Sequence, residues 1–401
     1  MTIEPWERVA GNITPLEILA LAKELIAIPS HFEISGQERK VAEAIRHFFQ
    51  KEGISSWLEA TEGSRPNVFA RLGEGQGPVL LWCGHTDTVP PGEYEGDPFC
   101  GEVKEGFLFG RGAVDMKSSL ACAMVALAGL KRAGISLCGQ VLFAALADEE
   151  GASAGARALL RSGLRADGAV VGEPTGLTPC LGHRGLEWFQ IEFRGVPVHG
   201  GRQQEGVNAI SLAGRFLHRL EDDLLNALTE RRHPCLGPST LNVGRIEGGT
   251  QPSTVAGRCL LQLDRRWIPG ESRESVLTEL QDLLDRLQME DPSFQATVRI
   301  MESSRMEEGI VHEAYWMDPD QPLARCVQES IMRVLGKEMA FGAFPAWSDG
   351  GLLAAYGGIP TVILGPGQLS SAHSPNESID ISQLLPASLI FADLFSHFCG
   401  Q

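Results

Sequence analysis

Histidines and carboxylates recur in this sequence directly after short apolar runs. Residues 78–83 are followed by Gly84-His85-Thr86-Asp87-Thr88-Val89-Pro90. Residues 140–147 are followed by Asp148-Glu149-Glu150-Gly151, and residues 168–171 by Gly172-Glu173-Pro174-Thr175. Residues 360–364 lead into Gly365-Pro366-Gly367 and then Ala372-His373-Ser374. Between the first two runs, Gly110-Arg111-Gly112-Ala113-Val114-Asp115-Met116-Lys117 brings Asp115 through a glycine-rich turn to a helix start. Taken singly, each fragment has a plain structural explanation. His-x-Asp can be a hydrogen-bonded loop, Asp-Glu-Glu a solvated charge run, Gly-Glu-Pro-Thr a turn, His373 a surface histidine and Asp115 an N-cap. Those explanations do not account for four strand ends that each carry a ligand type. Carboxylates packed together repel and become protonated or solvated, and a divalent cation removes that problem. Imidazole and carboxylate without thiolate suit zinc in an open catalytic site, and cobalt or manganese would also fit.

The elements that must position these residues alternate between helix and strand. Thr14-Pro15 opens an amphipathic helix to about Ile28, in which Leu16, Leu19, Leu25 and Ile26 recur at helical spacing. Further helices fit residues 37–52, closed by Gly53, and 117–133, stopped by Gly134. Buried strands fit 78–83, 140–147, 168–171 and 360–364. Strands spaced by helices predict an α/β sheet covered on both faces, and such sheets bind ligands at the carboxyl ends of their strands. The middle of the chain differs. Apolar and polar residues alternate in Trp188-Phe189-Gln190-Ile191-Glu192-Phe193. A helix (206–228), two strands (240–247 and 254–266), a helix (271–287) and a strand (295–301) follow. This β-α-β-β-α-β order is the ferredoxin-like pattern. The expected division is a catalytic α/β domain from 1–184 and 303–401, with a small α+β domain, 185–302, inserted into it.

Composition narrows the class. The 401 residues are 43% hydrophobic and 21% charged, enough apolar content for a sizeable core. Lys plus Arg is 34 against 51 Asp plus Glu, a net charge of −17, which argues against nucleic acid and anionic membrane as partners. The longest apolar run, 120–130, is too short to span a bilayer. The opening Met1-Thr2-Ile3-Glu4-Pro5 has no basic segment or apolar signal core. Nine cysteines without a C-x-x-C pair read as reduced thiols in a cytoplasmic protein.

In that order, G-H-T-D-T-V-P, G-R-G-A-V-D-M-K, D-E-E-G, G-E-P-T and the late A-H-S-P-N-E resemble the dinuclear-metal deacylase and peptidase family. Acetylornithine deacetylase, succinyl-diaminopimelate desuccinylase, aminoacylase and glutamate carboxypeptidase are members. The resemblance covers essentially the whole chain. It implies a metal-bearing mixed-sheet α/β catalytic domain with an inserted ferredoxin-like lid and dimerisation domain. By that resemblance Asp115 bridges two divalent metals, most often zinc. His85 and Glu173 complete one metal, and Glu150 and His373 the other. Asp87 holds the His85 imidazole as an acceptor, and Glu149 is the general base that deprotonates a metal-bridging water. The family also holds a non-proline cis peptide after the bridging aspartate, which places one at Asp115–Met116.

On the substrate side, His199 in Val196-Pro197-Val198-His199-Gly200-Gly201 resembles the lid histidine that reaches the neighbouring subunit's site. Asp264-Arg265-Arg266 resembles the family's D-x-R strand. Alternation sets Asp264 and Arg266 on one face, so Arg266 could clamp a substrate carboxylate or pair with Asp264. Gly365 and Gly367 could offer backbone N–H groups to substrate or form a turn. Ser253 stands where the family commonly has a substrate-touching asparagine, and the proline after it is missing. His183 reads as structural. The expected activity is a metal-dependent amidohydrolase acting on an N-acyl amino acid, a small carboxylate-bearing substrate, in a homodimer paired through the lid. A carboxypeptidase or dipeptidase keeps the same chemistry on another substrate, and the Ser253 departure leaves room for an unusual C–N bond. A binding protein that had lost catalysis would show a damaged base or ligand set, and none of the matched positions is damaged.

Overall fold

The computed structural model describes residues 4–61, 65–307 and 309–400. The chain divides into two compact units. One comprises Met1–Gly182, Trp316–Phe344 and Ser348–Gln401; the other comprises His183–Tyr315 and Pro345–Trp347.

The larger unit is built on a mixed sheet. Six of its nine strands run in the order Ser55–Ala60, Pro66–Leu72, Gln140–Leu146, Val79–His85, Gly168–Val171, Thr361–Ile363. The last four are mutually parallel, and the first two join antiparallel. Parallel strands share one carboxyl edge, so His85, the 148–150 loop, Glu173 and the chain after Ile363 all emerge together there. Ser55–Ala60 and Pro66–Leu72 lie outside the strands expected from the patterning, as does Cys180–His183, which joins Thr361–Ile363 antiparallel. Ser55–Ala60 is a half-exposed edge strand that lacks an apolar run to mark it. A further small sheet joins Glu102–Lys104, Phe107–Phe109 and Ser378–Asp380, each three residues long and too short for any periodic signal.

The three helices expected in this unit match their elements closely, while Pro322–Leu335 and Leu384–Phe398 lie outside the expected set. Pro15–Ile26 starts at Thr14, whose Oγ accepts the Glu17 N–H at 3.1 Å. Ser118–Arg132 lies in the core with every residue from Ser118 to Leu130 buried. Trp82 stacks on Phe143 at 5.1 Å beneath it, and each large apolar side chain buried there contributes roughly 1.5–3 kcal/mol. The segment Ala113–Arg132 is long and apolar enough to cross a membrane, and it is buried in this unit from Ala113 to Leu130. The turn that precedes the helix lengthens the 120–130 apolar run to that span.

The smaller unit carries a four-stranded antiparallel sheet ordered Thr240–Gly248, Arg258–Trp267, Gly185–Arg194, Gln295–Ile300. Numbered along the chain this is 2-3-1-4, the ferredoxin-like order. Its helices are Ala209–Arg219 and Arg273–Glu290. The single helix expected over 206–228 is interrupted. A wider turn at Leu220–Leu225 separates it from Asn226–Glu230, where Glu221, Asp222 and Asp223 crowd consecutive positions.

Candidate metal centre

The carboxyl edge of the larger sheet gathers the expected ligands into two overlapping groups. In one, ligand atoms of His85, Asp115 and Glu173 lie within 4.8 Å of one another; in the other, those of Asp115, Glu150 and His373 do. Asp115 belongs to both. His85 Nε2 is 2.9 Å from Asp115 Oδ1 and 3.7 Å from Glu173 Oε1. His373 Nε2 is 2.9 Å from Glu150 Oε1 and 3.2 Å from Asp115 Oδ2.

Local sequence explains why these side chains meet. His85 is the last residue of its strand, so strand geometry fixes its direction. Asp115 sits in an irregular turn, and the peptide bond from Asp115 to Met116 is cis. Met116 is fully buried between two strand ends. A Cβ on Gly84 would lie 2.3 Å from Met116 Cε, and one on Gly172 would lie 2.7 Å from the same atom. The glycines that open the His85 and Glu173 motifs therefore make room for the residue that carries Asp115.

Asp87 differs in detail from the expectation. The His85 Nδ1–H donates to the Asp87 backbone carbonyl at 3.0 Å, while the Asp87 carboxylate is 3.7 Å away. The carbonyl fixes the tautomer and turns Nε2 toward the ligand groups. The carboxylate instead accepts the backbone N–H groups of Glu149 at 3.2 Å and Glu150 at 2.9 Å. It thus ties the base and a ligand to the His85 loop.

The electrostatics describe a site made for cations. Burial, reinforced by neighbouring Asp115 and Glu150, pushes Glu173 up to about 8. Burial, with Glu173, Asp349 and Glu150 adding to it, holds Glu149 well above the carboxylate range. Burial also raises Asp87 to about 7, although its backbone hydrogen bond opposes this. Burial works against the charge on Asp115, but hydrogen bonds from His373 and His85 outweigh it and hold Asp115 low. The Asp115 and Glu150 carboxylates raise His373 to about 10. Among the described residues, no lysine or arginine pairs with Asp115, Glu149, Glu150 or Glu173, and the two imidazoles alone serve as cations. This excess of buried carboxylate, with imidazole donors and no thiolate, fits two divalent ions.

The remaining candidates lie elsewhere. His199 is an exposed residue of the smaller unit, and its Nδ1 accepts the Gly201 N–H at 3.2 Å. Ser253 is exposed nearby, where its carbonyl accepts the Gly200 N–H at 2.7 Å. Arg266 and Asp264 share one face, as alternation requires, and they pair with each other at 2.7 and 3.0 Å. His183 is buried with its ring against Tyr315. For Gly365 and Gly367 the sequence allows N–H donors to substrate or a turn. The Gly365 N–H donates to Thr175 Oγ at 3.2 Å and the Gly367 N–H to Gln383 Oε1 at 2.8 Å, so both are engaged within a turn.

Two residues in the site were not assigned from sequence. Asp349 is buried close enough to Glu149 and Glu173 to raise both; it follows the apolar stretch 339–347, which glycine and proline interrupt. Glu377 is fully buried, and it was visible only as the last letter of the A-H-S-P-N-E stretch.

Residues 81–397 match the model of peptidase family M20/M25/M40. The chain is 33% identical over 400 residues to acetylornithine deacetylase of Pectobacterium carotovorum, covering 97% of this chain and 99% of that one. It is 27% identical to N-formyl-4-amino-5-aminomethyl-2-methylpyrimidine deformylase of Halalkalibacterium halodurans, covering 96% and 94%. Its fold superposes on a dinuclear metal binding peptidase of the M20 family from Bacillus subtilis with a TM-score of 0.72 and 19% identity, covering 96% and 98%. Family match, full-length relatives and the two ligand groups converge, and the chain belongs to peptidase family M20/M25/M40.

Proposed function

We propose that this chain hydrolyses the amide bond of an N-acyl amino acid, with Glu149 as general base and zinc as the native metal. The carrying observation is the pair of ligand groups sharing Asp115, with the half-buried Glu149 carboxylate next to Glu150 and close to Glu173. His85, Asp115 and Glu173 would hold one ion, and Asp115, Glu150 and His373 the other. Two such ions, when bound, acidify water and polarise a carbonyl. Glu149 is placed to take a proton from the nucleophile and return it to the leaving amine, and its backbone N–H bond to Asp87 holds it in register. The His199 Nδ1 is an acceptor, so Nε2 carries the hydrogen and faces outward as a donor suited to an oxyanion. Arg266, released from or shared with Asp264, supplies a planar fork for a substrate carboxylate, and Ser253 offers a hydroxyl in place of an amide.

The smaller unit is assigned the roles of lid and dimer contact. Thr240–Gly248 is an edge strand, mostly exposed, with Ile246 54% accessible, which is the kind of edge a second copy would cover. Nine unpaired cysteines, six of them buried, are consistent with a reducing cytoplasm. The similarity to a deformylase and the serine at 253 favour a second reading, cleavage of a C–N bond outside the amino acids.

The test is turnover across a panel of N-acyl amino acids, dipeptides and N-formyl amines, with and without a chelator. Chelator-sensitive hydrolysis of N-acyl amino acids is the expected result. Preference for dipeptides would overturn the deacylase assignment, and an apo protein that takes up no metal would overturn the ligand set.

A further inference from the structure

We infer that Glu377, paired with Arg111, is a positioning residue that holds the shared ligand Asp115 in place through its backbone. The inference rests on the two-ion reading of the site. Glu377 Oε1 accepts the N–H of Val114 at 3.0 Å and of Asp115 itself at 3.2 Å. Its other oxygen, Oε2, takes the Arg111 guanidinium at 2.6 Å. The backbone carbonyl of Glu377 accepts the Gly110 N–H at 3.1 Å and the Tyr94 hydroxyl at 3.2 Å. Arg111 then reaches both neighbouring loops. It donates to the Pro91 carbonyl, beyond the His85 motif, at 3.2 Å and to the Ser374 carbonyl, next to His373, at 3.4 Å. One buried pair thus ties together the loops that carry His85, Asp115 and His373.

Both side chains are almost wholly inaccessible, Arg111 at 4% and Glu377 at 0%. Desolvating two charges this completely costs several kcal/mol per ion, so such a pair is weak evidence for stability. What an apolar pair of the same volume could not supply is an acceptor for two consecutive N–H groups in an irregular turn. Those N–H groups have no strand partner and no regular helical one, because Asp115 and Met116 have non-helical backbone angles. Glu377 closes that account, and in doing so it sets where the Asp115 carboxylate points. It reaches the ions only through Asp115.

The experiment separates the acceptor from the ion pair. Arg111→Met/Glu377→Gln removes the charges but keeps an amide oxygen able to take both N–H groups. Arg111→Met/Glu377→Leu removes the charges and the acceptor together. Each apo protein is titrated with Co²⁺ alone, and stoichiometry, affinity and the visible cobalt spectrum are recorded, with chelated samples unfolded in urea as the stability control. The glutamine pair should bind two ions with near-native affinity and spectrum. The leucine pair should bind roughly 10–100-fold more weakly, with a changed spectrum, since outer contacts to ligands carry about that much. Equal affinity and spectra in the two pairs would overturn the inference while leaving the two-ion site standing. Failure of the unsubstituted protein to bind two ions would instead overturn the proposed function. If the leucine pair does not fold, Arg111→Met/Glu377→Asp takes its place, because a carboxylate one methylene shorter withdraws from the N–H groups. Affinity equal to that of the glutamine pair would again overturn the inference.

Discussion

Replacing Gly172 with alanine tests how the site is packed, because the effect can be worked from a single added atom. A Cβ there would lie 2.5 Å from Trp82 Cζ2, 2.7 Å from Met116 Cε and 2.7 Å from Ser119 Oγ. These contacts are far inside ordinary carbon van der Waals distance of about 3.5–4.0 Å. All three neighbours are buried and the indole is stacked on Phe143, so the easiest atom to move is Met116 Cε. Met116 follows Asp115 directly, and Gly84 closes the space on its other side. Overpacking of this kind costs about 1–3 kcal/mol. At roughly 2–4 °C per kcal/mol for a unit of this size, the apo protein should melt about 2–12 °C lower. Displacement of Asp115 should weaken metal binding and lower kcat by more than the stability loss alone predicts, because a misplacement of about 1 Å can cost on the order of 100-fold. Gly214→Ala is the matched control of opposite sign. Gly214 lies exposed within Ala209–Arg219 with nothing within 4 Å of an added Cβ, so the substitution should stabilise its helix by about 0.5–1 kcal/mol. Calorimetric melting of the apo proteins and metal titration give both readouts. A Gly172→Ala protein with unchanged melting and unchanged metal affinity would refute the claim that Met116 needs the two glycines.

Other perturbations have equally definite outcomes. Glu149→Ala should cost roughly 10²–10⁴ in kcat while both ions stay bound, checked by steady-state kinetics and metal analysis; near-native turnover would remove it as the base. Asp87→Asn leaves one amide oxygen for two backbone N–H groups and sets an NH₂ against one of them, so kcat should fall while far-UV dichroism is unchanged. His312 is buried in the smaller unit and depressed from 6.5 to about 4, first by burial and then by Arg266, His183 and Arg273. A histidine held low takes up its proton more readily when unfolded, so its contribution is intact above pH 6.5 and is lost as pH falls toward 4. That loss amounts to about 3 kcal/mol. His312→Gln should flatten urea-derived stability across that window, and an unchanged slope would refute the assignment.

What could be read in advance follows from which forces act locally. The parallel strands carried their own signal, because strands buried on both faces are apolar throughout, and Gly168–Val171 coincides with its expected bounds. The residues after those strands were legible for the same reason, since topology alone brings one sheet edge together. Edge and three-residue strands were not legible, because they are stabilised by partners distant in sequence, as Ser378 is by Phe109. Side-chain direction was the other blind spot. The types of Asp87 and Gly365 suggested a histidine partner and a substrate donor or a turn; the Asp87 carboxylate takes backbone N–H groups and the Gly365 N–H goes to the Thr175 hydroxyl, all remote in sequence. Glu377 was missed because nothing in its sequence neighbourhood reports that Val114 and Asp115 lack acceptors.

The site is organised by carboxylates that lie outside the two ligand groups. Asp87 takes the N–H groups of Glu149 and Glu150; Glu377 takes those of Val114 and Asp115. Asp148 takes those of Ala152 at 3.3 Å and Ala154 at 3.2 Å while pairing with Arg65 at 2.5 Å. Each is an acid that fastens consecutive or nearby amides of a loop with no ladder of its own, Asp87 with both oxygens and Glu377 and Asp148 with one oxygen while the other meets an arginine. Neutral side chains could satisfy the same amides, but charge-assisted bonds are shorter and about twice as strong. The charge that raises Glu149 and Glu173 beyond burial comes instead from Asp115, Glu150 and Asp349 and from Glu173 itself acting on Glu149. The two tasks are therefore divided: acids outside the ligand groups fasten the loops, two of them neutralised by Arg111 and Arg65, while the crowded carboxylates of the ligand groups and Asp349 create the demand for cations.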